Sequence, residues 1–272
     1  MLIMHSTRGN SSVRSPAVAG LFYPDEPAEL RTAVRRYLER APAVELSTPP
    51  RAFIVPHAGY VYSGSIAACG YALIAAQRSI LRRVVLIGPS HFVPLRGAAV
   101  PRADAFRTPL GDIEIDQDGK QRVQAQCNVA ASDAPHAREH ALEVQLPFLQ
   151  ETLGDFKLLP IVVGSAPAPY VSSILDQVWG GDETLVLASS DLSHYHPYAR
   201  AQAIDAETSR CILNREPNLS GDQACGAVAI NGLLHAAVER GLQVRELKRL
   251  NSGDTAGDRS RVVGYGAYAM HA

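Results

Sequence analysis

Residues 52–59 read Ala-Phe-Ile-Val-Pro-His-Ala-Gly, a short apolar run followed at once by a proline and a histidine. Four consecutive apolar residues with prolines on either side predict a buried strand at Ala52–Val55. The Pro-His-Ala-Gly that follows is typical of a sharp turn, and a helical pattern then covers residues 65–77. A strand, a histidine-bearing loop and a helix in this order predict a unit of an α/β sheet.

The same arrangement recurs at two other apolar strands. Residues 84–87 lead into Gly88-Pro-Ser-His91, and residues 184–188 lead into Ser189-Ser-Asp-Leu-Ser-His194. A single histidine at a strand end is more often a hydrogen-bonded structural residue than a ligand. In open α/β sheets, however, ligands bind beyond the carboxyl ends of the strands. Three histidines at equivalent positions therefore predict one shared site at that edge.

The rest of the chain fits the same architecture. Further helices are predicted at residues 27–41, 139–151, 169–178, 199–214 and 224–239, and further strands at 113–115, 156–163, 244–250 and 262–270. Pro147 should kink or shorten the second of these helices. The alternation predicts an α/β fold: one layered domain over residues 1–272, with a central mixed sheet flanked by helices. We expect antiparallel strands at its C-terminal end and residues 1–25 to wrap the core.

The composition is that of an ordinary soluble globular protein. The 272 residues are 46% apolar, and 26 Lys and Arg nearly balance 27 Asp and Glu for a net charge of −1. That balance argues against a nucleic-acid or anionic-membrane partner. No apolar run has the length of a membrane span or of a signal-peptide core. We therefore expect a cytoplasmic protein whose four cysteines are free thiols or metal ligands.

A second group of candidate residues lies in Ala137-Arg-Glu-His-Ala-Leu-Glu-Val-Gln-Leu-Pro147. On the predicted helix, His140 and Glu143 are three residues apart and would share a face. They could bind a metal or act as acid and base beside one. The alternative is a surface pair that contributes little to stability. The H-E-x-x-H spacing of zinc proteases does not occur in the chain.

Cys225 lies where a helix is predicted to begin. If Asp222 is the N-cap, the thiol falls in the first turn, where the helix dipole favours the thiolate. Such a thiolate could complete a metal site with two imidazoles or act as a nucleophile. The alternative is a small buried apolar residue, which is the common role of a cytosolic cysteine.

Seven short blocks follow one another along nearly the whole chain. They are PAVAGLFYP at 16–24, PHAGYVYSG at 56–64, GPSH at 88–91, RTPLGD at 107–112, EHALEVQLPFL at 139–149, SSDLSH at 189–194 and CG at 225–226. In these blocks the chain resembles the Memo family, proteins similar to the mediator of ErbB2-driven cell motility. The prokaryotic members of that family are often called AmmeMemoRadiSam system protein B.

The resemblance implies a fold similar to that of the class III extradiol (LigB-type) dioxygenases, a single α/β domain that carries non-haem Fe(II). It also implies a metal site of two histidines and one cysteine, which fall on His57, His91 and Cys225. Further pocket residues of the family correspond to Phe22, Tyr60, His140, Glu143, Asp191 and His194. The dioxygenases use a carboxylate where this site has a cysteine, and a thiolate softens the site. That change shifts the site towards Cu⁺ or Zn²⁺. The resemblance implies iron (Fe²⁺) as the metal, with copper or zinc as alternatives.

Three functions are compatible with these residues. The first is a non-haem iron- or copper-dependent oxidoreductase of dioxygenase type, acting on an unknown small molecule. In it His194, oriented by Asp191, would act as acid and base or anchor the substrate, with His140 and Glu143 beside the metal ligands. The second is a non-catalytic adaptor that uses the pocket for a peptide or protein; the resemblance implies radical-SAM and AMMECR1-like partners. The third is a metal-dependent hydrolase.

Overall fold

The structure is a computed structural model that describes residues 12–272, so the first eleven residues of the predicted N-terminal segment lie outside it. The strands are β1 (Val13–Arg14), β2 (Ala52–Val55), β3 (Arg83–Pro89), β4 (Ala98–Val100), β5 (Ala105–Thr108), β6 (Gly111–Glu114), β7 (Ala130–Ala131), β8 (Lys157–Val163), β9 (Thr184–Ser189), β10 (His194–His196), β11 (Gln243–Asn251) and β12 (Val262–His271). The α-helices are α1 (Pro27–Glu39), α2 (Tyr60–Ile74), α3 (Gln117–Cys127), α4 (Ala134–Ala137), α5 (Leu146–Leu153), α6 (Ala168–Val178), α7 (Tyr198–Leu213), α8 (Ala227–Glu239) and α9 (Ser252–Thr255). Short 3₁₀ turns cover Ala75–Gln77 and Glu143–Gln145.

One mixed sheet organises the fold. Its strands lie in the order β10-β12-β2-β9-β3-β8-β4-β7, and β11 pairs with β12 beside that path. The four central strands β2, β9, β3 and β8 are parallel, whereas β12 is antiparallel to both β2 and β11. The predicted mixed sheet and its antiparallel C-terminal strands are confirmed. A separate small sheet joins β1, β5 and β6.

Helices cover both faces of the central sheet. In β2, Ala52 and Ile54 belong to the apolar cluster that includes residues of α6 and α8. Phe53 and Val55 point to the opposite face and join the cluster that includes residues of α1, α2 and α5. Side chains alternate along a strand, so a strand covered on both faces must be apolar at every position. This is why β2 reads as an unbroken apolar run.

The helix predicted over 139–151 is wrong in its first half. Residues 138–142 are not helical, a 3₁₀ turn follows at Glu143–Gln145, and α5 begins only at Leu146. Pro147 therefore lies in the first turn of α5, where the missing amide hydrogen costs nothing, and it starts the helix instead of kinking it. His140 and Glu143 consequently do not share a helix face.

The chain after residue 12 is fastened to the core by the buried carboxylate of Glu143. This carboxylate pairs with the Arg14 guanidinium and accepts hydrogen bonds from the Tyr23 hydroxyl at 2.6 Å and the amides of Ala17 and Val18 at 2.7 and 3.0 Å. Carboxylates are rarely buried without partners, and this one has four. The contacts fix the segment that carries Phe22.

Within residues 12–272, none of the helices is both long and apolar enough to cross a membrane.

Buried His136 should make stability depend on pH. Its ring is 1% exposed, and burial lowers its pKa to about 4. Between about pH 4 and 6.5 the unfolded chain binds a proton at this residue that the folded protein does not bind. Stability contributed by neutral His136 is therefore complete above pH 6.5 and falls as the pH drops towards 4, by about 3 kcal/mol in total.

The variant His136→Gln tests this expectation, because its amide can still donate to the Ala99 carbonyl that the ring Nε2 contacts at 3.1 Å. We expect urea unfolding to show a shallower loss of stability between pH 6.5 and 4 in the variant. A comparison at pH 8, where histidine is neutral in both states, measures any packing cost alone. Parallel pH profiles of variant and wild type would contradict the assignment.

Candidate metal centre

Three neighbouring strands bring the candidate residues to one edge of the sheet. In the sheet β9 lies between β2 and β3, and all three run in the same direction. His57 follows the end of β2, His91 follows β3, and the Ser190–His194 loop follows β9. The carboxyl ends of parallel strands meet at one edge, which is the usual ligand position in open α/β sheets.

Three imidazoles form the group best placed to hold a metal ion. His57, His91 and His140 each offer a ring nitrogen, and these nitrogens all lie within 4.8 Å of one another. The rings of His91 and His140 stack nearly parallel with centroids 4.7 Å apart, and His57 stands edge-on to both at 5.2 and 5.3 Å. Imidazole is a common protein ligand for zinc, copper and iron.

The hydrogen bond to His57 selects its tautomer. Its Nδ1 lies 3.0 Å from the Ser189 hydroxyl oxygen, and that hydroxyl donates its own hydrogen to the Ala141 carbonyl at 2.6 Å. Ser189 must therefore accept from Nδ1–H, so that Nε2 carries the lone pair of the ring. Burial lowers the pKa of His57 to about 3 and that of His140 to about 4, so both rings are neutral at pH 7.

Glu139 holds His91 and was missed in the sequence. Its Oε1 accepts from His91 Nδ1 at 2.8 Å, and its Oε2 accepts from the His91 amide at 2.7 Å. Burial alone would raise the pKa of this carboxyl, but the hydrogen bonds from His91 and the Ala141 amide keep it at about 2. A carboxylate behind a ligating imidazole orients the ring and increases its basicity. The one available signal was that Glu139 directly precedes His140.

Cys225 lies beside the three imidazoles, close to His57. Its Sγ lies 3.2 Å from His57 Nε2, and its amide donates to the Asp191 carbonyl at 3.3 Å. The predicted place in the first helical turn is wrong, because α8 begins at Ala227 with Gly226 as its N-cap. Burial, followed by the nearby Asp191 carboxylate, raises the pKa of the thiol to about 12. A metal ion would have to displace the thiol proton in order to bind there.

Gly226 allows the Cys225 backbone to approach the end of β9. A Cβ at this position would lie 2.7 Å from both the Ser189 carbonyl oxygen and the Ser190 Cβ. Gly226→Ala should therefore shift Cys225, with a stability loss of about 1–3 kcal/mol from overpacking and weaker metal binding. Gly221→Ala is the matched control, since nothing lies within 4 Å of the added carbon. Unfolding and metal titrations of both variants check the expectation; equal behaviour would contradict it.

Asp191 and His194 each hydrogen-bond to backbone groups beside the cleft. Asp191 Oδ1 accepts from the amides of His57 at 2.7 Å and Ala58 at 3.3 Å, so it fixes the loop that carries His57. His194 Nδ1 donates to the Leu192 carbonyl at 2.8 Å. Among the described residues no hydrogen bond joins Asp191 to His194. The His194 Nε2 remains an acceptor, and the residue lines the cleft beside the imidazoles.

Of the three other predicted pocket residues, the structure brings only Phe22 to the site. Its ring centroid is 4.8 Å from that of His140. Tyr60 is 4% exposed and its hydroxyl donates to the Val144 carbonyl, so it packs in the core instead. Glu143 is engaged with the N-terminal segment, away from the cleft. The neighbouring Tyr62 lines the cleft in place of Tyr60.

The imidazole group lies at the base of an open cleft of about 700 Å³. Large aromatic and aliphatic side chains form part of its wall. They are Leu21, Phe22, Val61, Tyr62, Tyr195, Val263 and Tyr265. A cleft of this size accommodates a small organic molecule.

The sequence is similar to several proteins with the same family name. A family model described as Memo-like protein matches residues 14–269. Relatives named MEMO1 family protein come from Desulfurococcus amylolyticus, 33% identical over 95% of this chain and 99% of the relative, and from Aquifex aeolicus, 35% identical over 93% and 97%. A third relative, from Ignicoccus hospitalis, is 36% identical over 94% and 97%.

Among solved structures, an uncharacterized protein of Escherichia coli K12 aligns with a TM-score of 0.49 and 11% identity, over 79% of this chain and 98% of that one. An alignment this weak does not support a shared fold, so the LigB-type fold stays a prediction. The family match covers the N-terminal segment from residue 14 onwards, all three histidine-bearing loops and Cys225. With relatives matched over nearly their full length, the chain belongs to the Memo-like protein family.

Proposed function

We propose that this protein is a metal-dependent enzyme of oxidative type that acts on a small molecule in the cleft. His57 and His91 would bind iron or copper, and His140 or the Cys225 sulfur, once deprotonated, would complete the site. The observation that carries the proposal is the convergence of three ring nitrogens within 4.8 Å at the base of a cleft.

The surrounding contacts fit a metal ion. His57 and His91 each use Nδ1 for a hydrogen bond, to Ser189 and Glu139, so that their Nε2 atoms are available. Neutral imidazoles are the form that binds a metal, and burial keeps His57 and His140 neutral. A hydrogen-bonded carboxylate behind a ligand is typical of built metal sites.

A bound iron or copper ion would supply redox chemistry and open coordination positions for a substrate. The protein's own residues have separate tasks. Asp191 holds the His57 loop through two amides, and Glu139 holds His91. His194, with Nε2 as an acceptor, is placed to take a proton from a substrate bound in the cleft. Phe22 packs against the His140 ring with centroids 4.8 Å apart.

Oxygen uptake by the iron-loaded protein tests the catalytic part of the proposal. Protein purified anaerobically and loaded with Fe²⁺ should consume oxygen with a subset of small molecules, and His194→Asn should slow that uptake without reducing the bound iron. Turnover under strictly anaerobic conditions would instead identify a hydrolase. Full metal occupancy with no turnover of any kind would favour a binding role.

The third ligand can be assigned spectroscopically. Copper(II) bound through Cys225 should show a thiolate charge-transfer band that disappears in Cys225→Ser and persists in His140→Asn. A metal complex without that band in the wild type would assign the third position to His140.

A further inference from the structure

The cleft has an apolar mouth that is unusually open to solvent. Leu21, Val61 and Tyr195, which line the cleft, are 80%, 62% and 63% exposed. Scattered exposed apolar residues are ordinary, but a contiguous set around a concave site marks a binding surface. The mouth is therefore suited to the apolar body of a ligand.

A β-bulge turns Tyr195 towards this cleft. His194 pairs with Val263 and His196 with Val262, so Tyr195 is the extra residue in β10. It adopts a left-handed conformation with φ of 61°, which is uncommon for a large aromatic residue. In a regular strand, His194 and Tyr195 would point to opposite faces. Because of the bulge, both line the cleft, as bulges near functional sites often allow.

A single guanidinium adds positive charge to this mouth. The Arg261 guanidinium carbon lies 5.3 Å from the Tyr195 ring centroid, and the residue lines the cleft. Within residues 12–272, Arg261 is the only lysine or arginine in the lining, and Asp191 is the only carboxylate. Asp191 is 4% exposed and already accepts two amide hydrogens. An anionic group at the mouth would therefore meet Arg261 as its charged partner.

From these contacts we propose that the cleft binds an amphipathic organic anion. Its apolar body, of aromatic size, lies against Leu21, Val61 and Tyr195, and its carboxylate, phosphate or sulfonate accepts hydrogen bonds from Arg261. Such an anion would be the substrate class of the proposed enzyme, and its biological role rests on that proposed function. The ligand contacts themselves need no metal, so they can be tested in metal-free protein.

Two fluorescent probes isolate the contribution of the charge. Anilinonaphthalene sulfonate and phenylnaphthylamine share one aromatic body and differ by the sulfonate. Wild-type metal-free protein should bind the sulfonate more tightly. Arg261→Gln should weaken sulfonate binding by about 2- to 5-fold, because an ion pair with an exposed guanidinium is lost, and should leave the uncharged probe unchanged. Arg259→Gln is the matched control: this arginine stacks on Tyr198 and does not line the cleft.

A third variant locates the probes. Val61→Asp should weaken both of them, since it places a charge on the apolar wall. Equal sulfonate affinity in wild type and Arg261→Gln, equal losses in Arg261→Gln and Arg259→Gln, or no effect of Val61→Asp would each overturn the proposal. Thermal unfolding of every variant excludes loss of fold as the cause. Failure to bind metal would overturn the proposed enzyme and leave this ligand site standing.

Discussion

Glu143→Gln should destabilise the protein by about 3–5 kcal/mol, because removing one partner of a buried ion pair leaves the other charge uncompensated. The Glu143 side chain is completely buried and the Arg14 side chain is 7% exposed. The carboxylate now accepts hydrogen bonds from the Tyr23 hydroxyl and the Ala17 amide. In the variant, the NH₂ group of the glutamine would face one of these two donors. Urea unfolding at pH 7 measures the loss.

This result separates a structural role for Glu143 from the catalytic role predicted for it. Glu114→Gln is the matched control, since Glu114 pairs with Lys157 at 3.7 Å on the surface, and it should leave the unfolding midpoint nearly unchanged. The folded fraction of Glu143→Gln should bind metal as the wild type does. Wild-type stability combined with lost activity would contradict the structural assignment.

Glu139→Gln should weaken metal binding by about 10- to 100-fold, because loss of a carboxylate behind a ligating histidine has an effect of that size. Glutamine retains the shape but removes the charge, and its single oxygen can accept from His91 Nδ1 or from the His91 amide but no longer from both as the two carboxylate oxygens do. The His91 ring would become both less basic and less well oriented.

Competition with a chromophoric chelator measures this change under anaerobic conditions. Glu143→Gln provides a second buried carboxylate variant, which controls for general loss of stability. A Glu139→Gln protein that binds metal as tightly as the wild type would show that Glu139 only holds the loop.

The central sheet could be predicted from the sequence because burial leaves a direct signature. β2 was predicted with the bounds that the structure shows, since both of its faces are covered and every residue must be apolar. The convergence of His57 and His91 followed from the rule that parallel strands end at one edge. The topology supplied the position of the site without any knowledge of its ligands.

The errors arose where local pattern and tertiary context disagree. The residues around His140 carry a helical pattern, yet they form a turn that Glu139 holds. The helix α5 begins only afterwards, with Pro147 in its first turn. β10 was not predicted because three residues with a bulge have no periodicity to detect. The two roles of Glu139 and Glu143 depend on contacts with distant segments, and a single sequence does not reveal such contacts.

The most direct measurement is an anaerobic titration of metal-free protein with Fe²⁺ and with Cu⁺, followed by metal analysis after gel filtration. The wild type should retain one ion per chain, and His57→Ala and His91→Ala should each lose it while remaining folded. Retention of the same stoichiometry by both variants would contradict the central claim that the histidines at the strand ends hold a metal.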